Sequence, residues 1–311
     1  MQNAARMTTT AEPVTLIDVT TRDGLQDEPR VVATARKAEI VASLAAAGIV
    51  EIEATSFVHP AWVPQLADAD ALIPLLPRGV RYSALMLNER GFERAHAAFT
   101  AAGYEPGSYD LVFVASASPR HNRSNNNRTI PETLAYFETI AARARSAGIT
   151  LRAAISCSFV SPWADETIER DTVLEMVARF EAGGCTTIGL ADTIGTAPPE
   201  VVDATLEAVQ HVSSATLSLH FHDLRGSALR NVEVGLRRGV RRFEGVLSGI
   251  GGCPFAPEAP GNLDLEALAA FVEARGFVTG TDAAKLGAAR AVLQHALDDA
   301  QPLPTPHAAA R

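Results

Sequence analysis

The stretch VTLIDVTTRDGLQDEPR (residues 14–30) decides the fold. Its first part is a short run rich in β-branched residues, which reads as a strand. The residues after that run separate two parallel-sheet architectures. An open doubly wound sheet wants a glycine-rich phosphate loop directly after its first strand, and TTRDGLQDEPR (20–30) is not one. A (β/α)8 barrel makes no such demand and carries its chemistry at the strand ends. Outward from this stretch, strand-like runs recur at IVEIEATSF (49–57), RYSALML (81–87), DLVFVAS (110–116) and LRAAISC (151–157). They continue at TTIGLAD (186–192), TLSLHFHD (216–223) and RFEGVL (242–247), with helix formers such as KAEIVASLAAAG (37–48) and NVEVGLRRG (231–239) between. Gly48, Gly103, Gly148, Gly184 and Gly239 stand just before the next strand, where a left-handed residue ends a helix. The pattern predicts an α/β protein, a single-domain (β/α)8 TIM barrel over residues 14–298 with its active site at the C-terminal ends of the strands. Residues 1–13 and 299–311 are expected to be disordered ends.

Composition narrows the function. The chain has 311 residues, of which 47% are hydrophobic and 20% charged, with 22 Gly and 18 Pro. These proportions exclude a disordered, collagen-like or disulfide-scaffold chain, and no apolar run reaches the ~18 residues of a membrane span. Lys plus Arg number 27 against 36 Asp plus Glu, a net charge of −9, which argues against a nucleic-acid partner. An anionic small substrate stays open, because a metal or an arginine can dominate its own pocket. The three cysteines, Cys157, Cys185 and Cys253, are widely spaced with no Cys-x-x-Cys pair, so neither a disulfide framework nor a thiolate zinc site fits. With no apolar signal segment in MQNAARMTTTAEP (1–13), the expectation is cytoplasmic.

A barrel gathers its strand ends at one mouth. There the sequence offers Arg22-Asp23-Gly24, Glu53, Asp192-Thr193, His220-Phe221-His222 and the loop leading to Cys253. His220 and His222, two apart on a strand, project from one face. A bare His-x-His also occurs as an inward polar layer without a metal. Asp23 tips the reading, since strand one neighbours strand eight and lies near strand seven in a closed barrel, and Asn262 can add an oxygen. This set of two histidines, one aspartate and one asparagine suits Mg²⁺ or Mn²⁺ better than structural zinc. Alternating side-chain direction would aim Arg22 at a substrate while Asp23 holds the metal. Glu53 and Asp192 add carboxylates whose crowding a cation and an arginine relieve. Cys253, in GIGGCPF, reads as sitting on a flexible lid.

Five motifs carry a resemblance. DVTTRDGLQDE (18–28), EIEATSFVHPAWVPQLAD (51–68), LADTIG (190–195), LHFHD (219–223) and SGIGGCPFAPEAPGN (248–262) are similar to those of the 3-hydroxy-3-methylglutaryl-CoA lyase family, metal-dependent barrels that break carbon–carbon bonds. The likeness runs from about residue 14 to about 290. The resemblance implies a retro-Claisen cleavage of an acyl-CoA, coenzyme A being part of the substrate, and a homodimer. It implies Asp23, His220, His222 and Asn262 as ligands of the divalent metal, Arg22 as the residue that stabilises the enolate, and Glu53, Asp192, His220 and Cys253 as other catalytic positions. Gln26, Arg123, Asn125 and Thr193 are the expected substrate and CoA contacts. The group that takes the substrate's hydroxyl proton stays open among His220, Asp23 and Glu53, and the acyl group among methylglutaryl, citramalyl and branched hydroxyglutaryl thioesters, with a condensing synthase as the reverse reading. Four positions depart from the family pattern. Pro119 follows Ser118 where the family usually has Glu, Ser161 replaces a second Cys, Arg225 stands where Tyr is common, and His59 stands where Ser is common.

Overall fold

A strand buried on both faces is β-branched and apolar throughout, because helices cover one side and side chains fill the other. In the computed structural model, which describes residues 11–224, 226–252 and 260–302, all eight predicted runs are strands. They are β1 (Thr15–Asp18), β2 (Glu51–Ser56), β3 (Arg81–Met86), β4 (Tyr109–Ser116), β5 (Thr150–Ser156), β6 (Thr187–Asp192), β7 (Thr216–Phe221) and β8 (Arg242–Gly245). They pair in sequence order into a closed parallel barrel. β8 closes on β1 with Thr15 opposite Arg242 and Asp18 opposite Gly245.

The helices between them are α1 (Thr34–Ala46), α2 (Glu89–Ala101), α3 (Pro119–Asn126), α4 (Ile130–Ala147), α5 (Arg170–Ala182), α6 (Pro199–Val212), α7 (Ala228–Arg237), α8 (Leu265–Glu273) and α9 (Ala283–Asp298). α4 shows how the sequence sets their ends. Thr129 and Glu132 form a reciprocal capping box at its start, and Gly148, at φ 67°, stops it in the left-handed region. The main core lies between barrel and helices. Phe113 of β4 packs on Phe137 of α4 and Phe180 of α5 with ring centroids 5.3 and 6.2 Å away, contacts worth about 0.5–1.5 kcal/mol each beyond their burial. No helix among the described residues is long and apolar enough to cross a membrane.

The expectation of loose ends needs correction at their inner edges. Glu12 pairs with Arg241, Pro13 bridges to Val278, and Gln301–Pro302 forms a short antiparallel strand against Arg30–Val31. Residues 1–10 and 303–311 lie outside the described residues.

The barrel interior is divided, and this division places the site. At the pocket the β3–β5 side is apolar, with Leu85, Val112 and Val114 packed against Val58, Leu87 and Ala154. Deeper, and toward β1, β2, β7 and β8, it is ionic. Arg242 pairs with Glu51, Arg152 lies 3.9 Å from Glu51 and 3.6 Å from Glu244, and Glu244 bonds His220 at 2.9 Å. Bulky aliphatic residues ordinarily fill such layers; here buried charges run in a column up to the mouth.

Candidate active site

At the end of β1 the chain enters a five-residue π-helical turn, Thr20–Gly24. The Val19 carbonyl accepts the amides of Arg22, Asp23 and Gly24 at 3.2, 2.8 and 3.2 Å. Asp18 anchors the turn by accepting from the Thr20 amide and hydroxyl at 3.0 and 2.6 Å. Arg22 and Asp23 therefore both face the pocket. Both were expected to serve one site; a helical turn brings them there, where strand alternation does not operate. Single π turns recur at functional sites.

The loop after β8 packs against this turn. A Cβ on Gly251, which has φ 88°, would lie 2.7 Å from the Asp23 carbonyl oxygen, and one on Gly24 would lie 2.6 Å from Val246. These glycines serve close approach at the start of the GIGGCPF run (249–255) that the sequence reads as a lid; its residues 253–255 lie outside the described residues. Cys253 lies outside the described residues, as does Arg225. The chain then returns along the barrel rim. His222 and Asn262 form an antiparallel bridge, the Leu263 amide donates to the Phe221 carbonyl at 2.9 Å, and the Val246 amide donates to the Leu263 carbonyl at 3.0 Å. That bridge delivers Asn262 to the end of β7.

Asp23, His220 and His222 present ligand atoms within 4.8 Å of one another, all three residues being buried or nearly so. Asp23 Oδ2 is 3.8 Å from His220 Nε2 and 3.9 Å from His222 Nε2. Each imidazole is oriented through its other nitrogen. Nδ1 of His220 meets Glu244 Oε2 at 2.9 Å and Nδ1 of His222 meets the Pro260 carbonyl at 2.7 Å. A carbonyl only accepts, so His222 carries its proton on Nδ1 and turns the Nε2 lone pair toward Asp23. Asp23 Oδ2 and Asn262 Oδ1 are buried with no hydrogen-bond partner among the described residues. Unmatched buried oxygens are costly, and two of them beside two aligned imidazoles make a donor set of two oxygens and two nitrogens that fits a divalent cation.

Electrostatics sorts the protons here. Burial alone would raise Asp23, but Arg22, His220 and His222 draw its carboxyl down to about 2. Burial and the neighbouring His220 push His222 down to about 4, leaving it neutral at physiological pH. For His220, burial works the other way from Glu244 and Asp23, and the carboxylates win, holding it above an ordinary histidine. Arg22 joins Asp23 to Glu53 through its guanidinium. Burial raises the Glu53 carboxyl against the pull of Arg22.

A pocket of about 950 Å³, part of it open to solvent, covers this group. Arg22, Asp23, His220 and His222 form its polar wall, and Gln26, Asn125 and Thr193, all expected from sequence, line it too. Val58, Trp62, Leu85 and Val114 form the apolar side. Two expected residues stand elsewhere. Arg123 lines a separate groove with Pro119 and Glu175, where it lies 3.9 Å from Glu132. Asp192 has the wrong parity for the pocket: Gly189, Ala191 and Thr193 point in, so Asp192 points away. Glu53 is on the correct face but sits behind Arg22. The sequence reading missed Glu244 and Arg152, charged residues inside strands of a barrel, where charge is rare unless paired.

Asp192 accepts the Ala197 amide at 2.8 Å, one of several amides of the following loop gathered on its carboxylate. Burial nonetheless raises it to about 6, against those amides. Its contribution to stability is thus complete below about pH 4 and lost as pH rises through about 6, ~3 kcal/mol in all. Asp192→Asn keeps an acceptor and removes the titration. Urea unfolding should show the variant gaining on the wild type by about that amount between pH 4 and pH 7. A flat difference would show that Asp192 titrates as an exposed carboxylate does.

Comparisons with known proteins identify relatives over nearly the whole chain. The HMGL-like family model matches residues 13–293. The mitochondrial hydroxymethylglutaryl-CoA lyase of Macaca fascicularis is 37% identical over 287 residues, covering 91% of this chain and 86% of that one. The Bacillus subtilis hydroxymethylglutaryl-CoA lyase is 36% identical over 299 residues, 94% and 95% of the two chains. Among solved structures, the Brucella melitensis HMG-CoA lyase superposes with a TM-score of 0.84 at 37% identity, over 93% of this chain and all of the other. An Acinetobacter baumannii HMG-CoA lyase in complex with coenzyme A and 3-methylmalate gives 0.85 at 32% identity, over 96% and 95%.

Proposed function

This chain belongs to the HMGL-like family, and from that premise we propose that it is a carbon–carbon lyase that cleaves 3-hydroxy-3-methylglutaryl-CoA to acetyl-CoA and acetoacetate. The observation that carries the chemistry is the convergence of Asp23, His220 and His222, with ligand atoms within 4.8 Å of one another and the imidazoles aligned by Glu244 and Pro260, while Asn262, bridged to His222, adds a further unmatched buried oxygen. In the retro-Claisen step the 3-hydroxyl loses its proton, the C2–C3 bond breaks and C3 becomes the acetoacetate carbonyl. The electron pair passes into the acetyl thioester as its enolate, which is then protonated at C2.

Asp23, His220, His222 and Asn262 would hold a divalent cation, Mg²⁺ or Mn²⁺ by the hardness of the set, and when bound it supplies the Lewis acidity that makes an alcohol with a pKa near 15.7 ionisable at neutral pH. Arg22, fixed between Asp23 and Glu53, holds a positive charge on the polar wall of the pocket, where the enolate oxygen would develop. Asp23, held below the usual carboxylate range by Arg22 and the two histidines, serves this reading as a ligand, and the hydroxyl proton goes to His220 or Glu53. The apolar wall of Val58, Leu85 and Val114 takes the methyl substituent and keeps water off the enolate. Cys253 gives the enolate its proton in this reading, on the sequence resemblance. Cytoplasmic residence and a homodimer complete the proposal.

A coupled assay for acetyl-CoA with added Mg²⁺ or Mn²⁺ tests it. Turnover of the methylglutaryl thioester, abolished by a chelator, is the expected result. No acetyl-CoA with either cation would defeat the lyase reading.

A further inference from the structure

Glu166 lies on the loop between β5 and α5 and takes no part in the cleavage chemistry. Its carboxylate gathers donors from two loops. The hydroxyls of Ser118 and Ser161 both donate to Oε2, that of Ser161 at 2.6 Å, and the Arg120 amide donates to Oε1 at 3.3 Å. Ser118 is the N-cap of α3 and accepts the His121 amide at 3.1 Å. A carboxylate is thus held at the helix end where negative charge is favoured. Next to it, Asp165 binds the Arg120 guanidinium through two bonds of 2.7 and 2.6 Å.

The far part of α3 is fixed separately. Asn122 Oδ1 accepts the Ser116 amide at 3.0 Å, its Nδ2 donates to the Arg128 carbonyl at 2.9 Å, and the helix stops at Asn127 in the left-handed region. From this short helix His121 and Asn125 enter the pocket wall. Two residues meet at the same junction: Pro119 opens α3 directly after Ser118, and the Ser161 hydroxyl donates to Glu166. The negative charge at the start of α3 thus comes from the neighbouring loop.

We propose that Glu166 is a positioning residue for thioester binding: it latches α3 to the β5–α5 loop so that His121 and Asn125 meet the coenzyme A ester in a fixed place. This rests on the proposed thioester substrate, so the test has an arm that does not. Glu166→Ala should raise KM for the thioester, and the calorimetric Kd of coenzyme A alone, by about tenfold or more, the scale of a lost hydrogen bond to a charged group. kcat and Mn²⁺ affinity should stay at wild-type values. Glu166→Gln keeps an acceptor oxygen and should recover most of the loss. In the alanine variant, amide hydrogen exchange should speed up over residues 120–126 while the barrel strands keep their protection. Unchanged KM and coenzyme A affinity overturn the proposal, as does a parallel fall in kcat and Mn²⁺ affinity, which would mark a general structural role. A wild type that binds neither coenzyme A nor the thioester sinks the thioester reading and the binding role with it. Faster exchange over 120–126 would then still establish the latch, and unchanged exchange would remove that as well.

Discussion

Asp23→Ala is expected to lower Mn²⁺ affinity by more than about 100-fold, beyond what the loss of an outer partner of a ligand costs, and to take turnover with it. Asp23 is the charged oxygen of the proposed set, and its Oδ2 lies within 4 Å of both imidazoles. Nothing nearby replaces it, because Glu53 is engaged by Arg22 and Glu244 by His220. The fold should survive, since the π turn is held by backbone bonds to Val19 and by Asp18. Asp23→Asn separates two roles of the side chain: it keeps an oxygen and loses the charge, so it should bind more weakly than wild type and more tightly than alanine. Calorimetry with Mn²⁺ reads both variants, and the rise in melting temperature that the cation gives the wild type should vanish in the alanine variant. Equal affinities in all three proteins would show that the cation, if bound, sits elsewhere.

Arg22→Ala should lower kcat by about 10²–10³, the usual loss for one preorganised donor to a developing oxyanion, with Mn²⁺ affinity much less affected. It also touches stability. Arg22 is the partner of Glu53, which is only 2% exposed. Stranding a buried charge costs about 3–5 kcal/mol. Glu53, already raised by burial, can escape part of that cost by taking up a proton, so the destabilisation should shrink as pH falls. The double variant Arg22→Ala with Glu53→Gln tests the stability part: unfolding stability should return once Glu53 no longer carries a charge. Arg22→Lys keeps the charge but not the fork that spans two carboxylates, and should recover little of the rate. A kcat equal to wild type in the alanine variant would reduce Arg22 to a brace for Glu53.

Much of this was legible because the rules that produce it are local. Eight β-branched runs make eight strands, and His220 and His222 share a face because strands alternate. Asp23 meets them because β8 closes on β1, which an eight-strand count requires. The structure differs from the sequence reading where another local structure intervenes. Arg22 and Asp23 reach one pocket as expected, but from a π turn and not from a strand. Asp192 is one residue out of phase with Ala191 and Thr193, and in a strand one residue reverses the face. Arg123 and Asn125 are two apart on a helix, about 200° around its axis, so only one of them can face the pocket, and it is Asn125. Glu244 and Glu166 were not readable, since each acts through partners distant in sequence: His220 and Arg152 for one, Ser118 and the α3 amide of Arg120 for the other.

The antiparallel bridge between His222 and Asn262 has a consequence for biosynthesis. The proposed coordination sphere draws one donor from the second dozen residues and another about 240 positions later, so a nascent chain still short of Asn262 cannot assemble it. Loading then waits on ring closure and the return of the chain to Asn262, and a chelator present during refolding should slow the last stage of maturation and leave the earlier collapse alone.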